Sequence, residues 1–205
     1  MKGPILIVDT GTGNLFSLAR SFERLGRPPR ISRDPEAIAG AGILVLPGVA
    51  SFPAIARGVE PLRAELVRRV RAGTPLLGIC AGLQVLAGAS EEGPGQGLGL
   101  LRGEVVRLPG PLLPHMGWSP LRRTPDPMLL GLGGPTVDPE MYYAHSYALP
   151  AGTAGTVATS FHGIEFAAVV RAGSVVGVQF HPERSGRAGA AFLAAFLEWA
   201  EGVAG

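Results

Sequence analysis

The sequence predicts an α/β fold: an open, mostly parallel twisted sheet with helices on both faces and some added antiparallel strands. Three observations predict it. In the first half, short unbroken apolar runs alternate with helically spaced segments, the pattern of parallel strands joined by crossover helices. After Gly88 helical spacing gives way to short strand-like runs broken by Gly and Pro. Finally, 205 residues with 46% hydrophobic and 17% charged side chains suffice for a sizeable core. The 31 glycines and 19 prolines follow no Gly-X-Y period and indicate many turns. With no linker and no internal repeat, residues 1–205 are expected to form one domain.

Residues 5–9 are the first buried-type strand, residues 10–13 a turn, and Asn14 caps a helix running to about Leu25. Residues 43–46 are a second strand, ended by Pro47 and Gly48. Over residues 53–71, Ile55, Val59, Leu62, Leu66 and Val70 recur at helical spacing, with a kink or fresh start expected at Pro61. Residues 76–79 form a third strand that runs directly into Cys80, and residues 81–87 read as helix. Residues 91–99 are polar and glycine-rich. Strands are then expected at 104–108, 140–149, 156–160, 164–170 and 175–180, and a closing helix at 185–199.

Composition excludes several roles. A net charge of +2 gives no electrostatic support for binding nucleic acid. No apolar run of about 18 residues is present to span a membrane. The start reaches Asp9 too soon for a signal peptide, so the cytoplasm is the expected address. The single cysteine rules out an internal disulfide and a cysteine-rich zinc site; no metal or cofactor is expected.

The chemistry centres on Gly78-Ile79-Cys80-Ala81-Gly82. A buried strand enters a helix through one residue flanked by glycines two positions away on either side, which is nucleophile-elbow geometry with Cys at its apex. That geometry puts the thiol at the carboxyl edge of the sheet and at a helix N-terminus, where the thiolate is favoured. A lone Cys is usually a small buried hydrophobe; the flanking glycines at a strand–helix joint point the other way. Such a nucleophile needs a base, and the base an orienting group. Of four histidines, His181 ends the apolar run 175–180 and so lies at a strand's carboxyl end, with Glu183 two residues on. In extended chain those two side chains share a face. Cys80, His181 and Glu183 are therefore a candidate triad. Residues 47–52 form another loop at the same edge. Its backbone can supply an oxyanion donor at Val49, beside the N–H of Ala81, with Gly48 permitting a peptide flip.

Gly-Ile-Cys-Ala-Gly-Leu-Gln (78–84) and Val-Gln-Phe-His-Pro-Glu (178–183) resemble the two motifs of class I glutamine amidotransferases. Further runs narrow the likeness: Asp9 to Asn14, Pro47 to Phe52, His115-Met116-Gly117-Trp118, Tyr143-Ala144-His145-Ser146-Tyr147, and His181 to Gly186. Together they resemble the glutaminase-subunit family of imidazole glycerol phosphate synthases over essentially the whole chain. The resemblance implies glutamine hydrolysis by Cys80, His181 and Glu183. It also implies transfer of the ammonia to a (β/α)8-barrel synthase subunit in a heterodimer serving histidine biosynthesis. Gly48, Ala50, Gln84, His145, Ser146 and Tyr147 match substrate-binding positions, and Asn14, Met116, Trp118, Tyr143 and Arg184 match the partner interface. A Met-Gly-Trp run between Pro114 and Pro120 also reads as a loop, where a large aromatic is often an interface anchor.

The chain departs from that family at three places: Ala50 stands where glycine is usual, Ser119 where Asn is usual, and Arg184 where Lys is frequent. Other readings are a glutaminase serving pyridoxal phosphate, guanylate or anthranilate synthesis, a cysteine peptidase or chaperone-like protein on the same elbow, and a non-catalytic binding domain. The runs at 115–118 and 143–147 argue against the first, and the intact Cys80, His181 and Glu183 against the last.

Overall fold

The computed structural model describes residues 3–132 and 138–203; Met1 and Lys2 lie outside them. The strands are β1 (Ile5–Val8), β2 (Arg30–Ser32), β3 (Ile43–Leu46), β4 (Leu76–Ile79), β5 (Ala89–Ser90), β6 (Glu104–Arg107) and β7 (His115–Pro120). They continue with β8 (Arg122–Arg123), β9 (Glu140–His145), β10 (Tyr147–Ala148), β11 (Thr156–His162), β12 (Ile164–Ala172) and β13 (Val175–Val178). The helices are α1 (Leu15–Arg24), α2 (Pro35–Ala39), α3 (Phe52–Val59), α4 (Arg63–Arg71), α5 (Ala81–Leu86) and α6 (Gly186–Val203).

Eight strands form the main sheet in the order β2-β1-β3-β4-β13-β12-β11-β8. The first five run parallel, and β12, β11 and β8 add antiparallel pairing. Strand alternation divides the core between the two faces. Ile5 and Ile7 pack with Phe22 of α1 and Phe192 and Phe196 of α6. Leu6 and Val8 pack with Ile38, Ile55 and Leu66 of α2, α3 and α4. Each fully buried Phe or Leu contributes about 1.5–3 kcal/mol relative to exposure.

Local rules account for the element ends. The Asn14 side chain accepts from Ser17 N–H and caps α1. Pro61 sits in a 3₁₀ turn, Glu60–Leu62, that separates α3 from α4. Asp9 lies outside β1 and instead accepts from Gly11 N–H at 2.8 Å. Three expectations need correction. The chain from 25 to 43 holds an edge strand, β2, and a short helix, α2, where none was expected. The expected strand 140–149 is interrupted at Ser146, because Leu108 N–H takes the Ser146 carbonyl while β10 turns to pair with β6. Residues 115–120 form strand β7 rather than a loop; it pairs antiparallel with β9, His115 opposite His145 and Trp118 opposite Tyr142.

Candidate active site

β3, β4 and β13 are neighbours, so the loops leaving their carboxyl ends meet. These are the loops carrying residues 47–51, Cys80 and His181. Cys80 has φ 54° and ψ −114°, the only positive φ at a non-glycine among the described residues. Strain of this kind at the apex of a strand–helix turn lifts the side chain off the sheet edge. The flanking glycines are needed for space. A Cβ on Gly78 would come 2.6 Å from the Leu86 side chain, and one on Gly82 only 1.9 Å from the Leu46 carbonyl oxygen. Gly48 obeys the same demand: its Cβ would stand 2.6 Å from Gly82 N, while its backbone lies outside the left-handed region.

His181 is buried, and its Nδ1 lies 2.9 Å from Glu183 Oε1. That pairing leaves Nε2 for the sulfur. The route differs from the extended one expected: residues Pro182–Arg184 form a 3₁₀ turn, which folds the carboxylate back onto the ring. The turn is held by Ser185 Oγ, which donates to the His181 carbonyl and accepts from Tyr142 N–H. Burial alone would lower the His181 pKa. Hydrogen bonds and charge from Cys80 and Glu183 outweigh it and raise the pKa to about 10, so the ring favours the imidazolium.

A cavity of about 700 Å³ opens over this pair. Cys80, Ala81, His181 and Glu183 line it, with Val49 and Ala50 on one side and Gln84, His145, Ser146 and Tyr147 on another; Asn14 and Arg184 stand at its edge. Two assignments change. Tyr143, expected at a partner interface, is fully buried in the core against His115, Phe166 and Phe180. Alternation along β9 turns its neighbour outward instead. Tyr142 is half-buried, carries the Arg184 guanidinium 4.0 Å above its ring and meets Trp118 edge-on. His145 borders the cavity but presents no free ring nitrogen, since Nδ1 pairs with the Tyr147 carbonyl and Nε2 with His115 Nδ1. Met116 and Trp118 are exposed on the outer face of β7.

Sequence reasoning missed Glu92. It lines the cavity and its Oε2 accepts from Phe52 N–H at the start of α3. It lies in a polar stretch beside Glu91, and no spacing marks it out.

The family model for class-I glutamine amidotransferases matches residues 6–199. The chain belongs to the class-I glutamine amidotransferases. Among its relatives, a protein of Methanothermobacter thermautotrophicus named imidazole glycerol phosphate synthase subunit HisH is 40% identical, covering 95% of this chain and 98% of its own. The subunit of the same name from Moorella thermoacetica is 44% identical, covering 95% and 94%. Among solved structures, a glutamine amidotransferase superimposes with TM-score 0.78 at 23% identity, covering 97% of this chain and all of its own. PurLQS from Thermotoga maritima gives 0.73 at 20% identity, covering 97% and 99%. At those identities the structural likeness speaks for the amidotransferase fold. Among the described residues, no helix is long and apolar enough to cross a membrane.

Proposed function

We propose that residues 1–205 form one glutaminase domain of an imidazole glycerol phosphate synthase. In this reading it acts in the cytoplasm as a heterodimer with a (β/α)8-barrel synthase subunit. The observation that carries the chemistry is His181, buried beside Cys80 with its far nitrogen held by Glu183. The choice of synthase rests on relatives of that name at about 40% identity over nearly the full chain.

In this reading the Cys80 proton passes to His181 Nε2, and the thiolate attacks the side-chain amide carbon of glutamine. The oxyanion is met by the N–H groups of Ala81 and Val49. His181 then returns its proton to the amide nitrogen, the C–N bond breaks and ammonia leaves. Water, deprotonated by His181, attacks the thioester; the C–S bond breaks, and glutamate is released as Cys80 regains a proton. Glu183 holds the imidazole orientation throughout and offsets its positive charge. Glu92 offers a carboxylate at the cavity wall, complementary to the α-ammonium group of glutamine. The exposed Met116 and Trp118, with Asn14 and Arg184 at the cavity edge, suit the face that meets the synthase. The synthase would combine the ammonia with a ribonucleotide to give imidazole glycerol phosphate and an aminoimidazole carboxamide ribonucleotide.

The test is glutaminase activity of the chain alone and mixed with a barrel subunit and its ligand. Activity that rises with the barrel, and vanishes in Cys80→Ala while the complex still forms, is the expected result. Undiminished hydrolysis in Cys80→Ala rejects the mechanism. Activation by a pyridoxal phosphate or guanylate synthase instead would reassign the partner.

A further inference from the structure

Gln179 lies between β13 and His181, fully buried and one residue removed from the base. A buried amide without partners is costly, and this one has a partner at each end. Its orientation is fixed from a distance. The Tyr147 carbonyl can only accept, so the Gln84 atom 2.7 Å from it is the amide nitrogen. The same nitrogen stands 3.3 Å from Gln179, which commits both Gln84 hydrogens and makes the facing Gln179 atom its carbonyl oxygen. The Gln179 NH₂ is thereby turned toward Cys80 Sγ, at 3.7 Å. Flipping either amide would set donor against donor or carbonyl against carbonyl. The Tyr147 carbonyl is anchored in turn: it also accepts from His145 Nδ1 at 2.9 Å, His145 Nε2 faces His115 Nδ1, and His115 Nε2 meets Ser119 Oγ.

We propose that Gln179 is a dedicated hydrogen-bond donor to the ionised sulfur of Cys80, aimed by Gln84 acting as a positioning residue through the Tyr147 carbonyl. The two states of the sulfur then have different partners. As a thiol, Cys80 has an acceptor in the Ala144 carbonyl, 3.9 Å away. Once the proton has moved to His181, that contact loses its donor, and the anion is left facing the Gln179 N–H. A bond to a charged acceptor is roughly twice as strong as a neutral one, so the amide favours the reactive state before any substrate arrives. The inference builds on Cys80 as the nucleophile.

The test is the pH dependence of Cys80 alkylation by iodoacetamide, measured on the full chain without glutamine. In Gln179→Met, which keeps the length and removes the donor, the alkylation midpoint should rise by about one pH unit, a tenfold loss of thiolate on the acid side. Gln179→Glu should shift it further, because an acceptor then faces the anion. A midpoint in folded Gln179→Met equal to that of the wild type overturns the proposal. Should the variants fail to fold, the wild type carries the test: the Gln179 side-chain amide protons, followed by NMR, should titrate together with Cys80 and stop doing so in Cys80→Ala. Amide protons indifferent to Cys80 overturn it equally. Alkylation needs no glutamine, so failure here is distinct from failure of the glutaminase assay.

Discussion

The α-carbon of Gly82 faces the Leu46 carbonyl so closely that one added methyl carbon would stand 1.9 Å from that oxygen. The contact joins the end of β3 to the helix that begins after Cys80. Gly82→Ala must therefore push α5 away from β3. The expected result is a stability loss of about 1–3 kcal/mol, read from the denaturant midpoint, with glutaminase activity falling further than stability. A fully active, equally stable alanine variant would contradict the close packing.

Within the candidate triad, His181→Ala should cost more than Glu183→Gln. The first removes the proton carrier; the second keeps the ring but loses its charged partner. A loss of about 10³-fold or more in glutamine hydrolysis is expected for His181→Ala, with the fold preserved by circular dichroism. Equal losses from the two variants would mean that the carboxylate takes part in proton transfer.

Tyr143 and Trp118 should behave oppositely. Tyr143→Ala empties a fully buried ring site and is expected to cost about 3–5 kcal/mol of stability. Trp118→Ala removes a half-exposed ring and should leave the melting temperature within a few degrees of the wild type while weakening affinity for the synthase subunit. Titration calorimetry with the partner, alongside thermal melts, separates the two. A Trp118→Ala chain that melts early and binds normally would place that residue among the core.

Stability should fall on both sides of neutrality. Burial, with the His162 charge beside it, lowers the His115 pKa to about 4. Burial likewise lowers His145 to about 3, with His115, His162 and His181 adding to the effect against the Tyr147 hydrogen bond. Their unfolded forms take up protons near pH 6.5. The native state is thus favoured fully above that value and progressively less as pH drops toward 4 and 3. His181 has the opposite sign: held up at about 10 by Cys80 and Glu183 despite burial, it favours the native state below 6.5 and loses that contribution as pH rises through 10. Thermal melts from pH 4 to 10.5 should trace a dome, with a shallower acid limb in His115→Gln. An unchanged acid limb would remove the buried pair as its cause.

What could be read in the sequence was what short spans dictate. The elbow at Cys80 and the His181–Glu183 pair are local, as are the strands buried on both faces, which show as unbroken apolar runs. Longer-range pairing was out of reach. β7 contains Gly117 and ends at Pro120, both marks of a loop, and becomes a strand because β9, twenty residues beyond, supplies its partner. The same pairing decides which of two adjacent tyrosines faces the core. β2 is an edge strand of three residues with Ile31 exposed, so it leaves no apolar run to read. Gln179 sits between Val178 and Phe180, where only the folded position of Gln84 and Tyr147 reveals its aim.

The stack of Arg184, Tyr142 and Trp118 beside the cavity also provides an optical handle. The chain has two tryptophans. Trp199 rests against Phe196 on α6 and does not line the cavity, whereas Trp118 stands edge-on to Tyr142 in partial contact with water. Indole emission shifts to the blue when water is displaced. Any molecule that seats on the outer face of β7 will therefore announce itself in the intrinsic fluorescence of one ring, with Trp199 as the constant background. A Trp118→Phe chain isolates that background, so association can be timed in a stopped-flow instrument without attaching a dye.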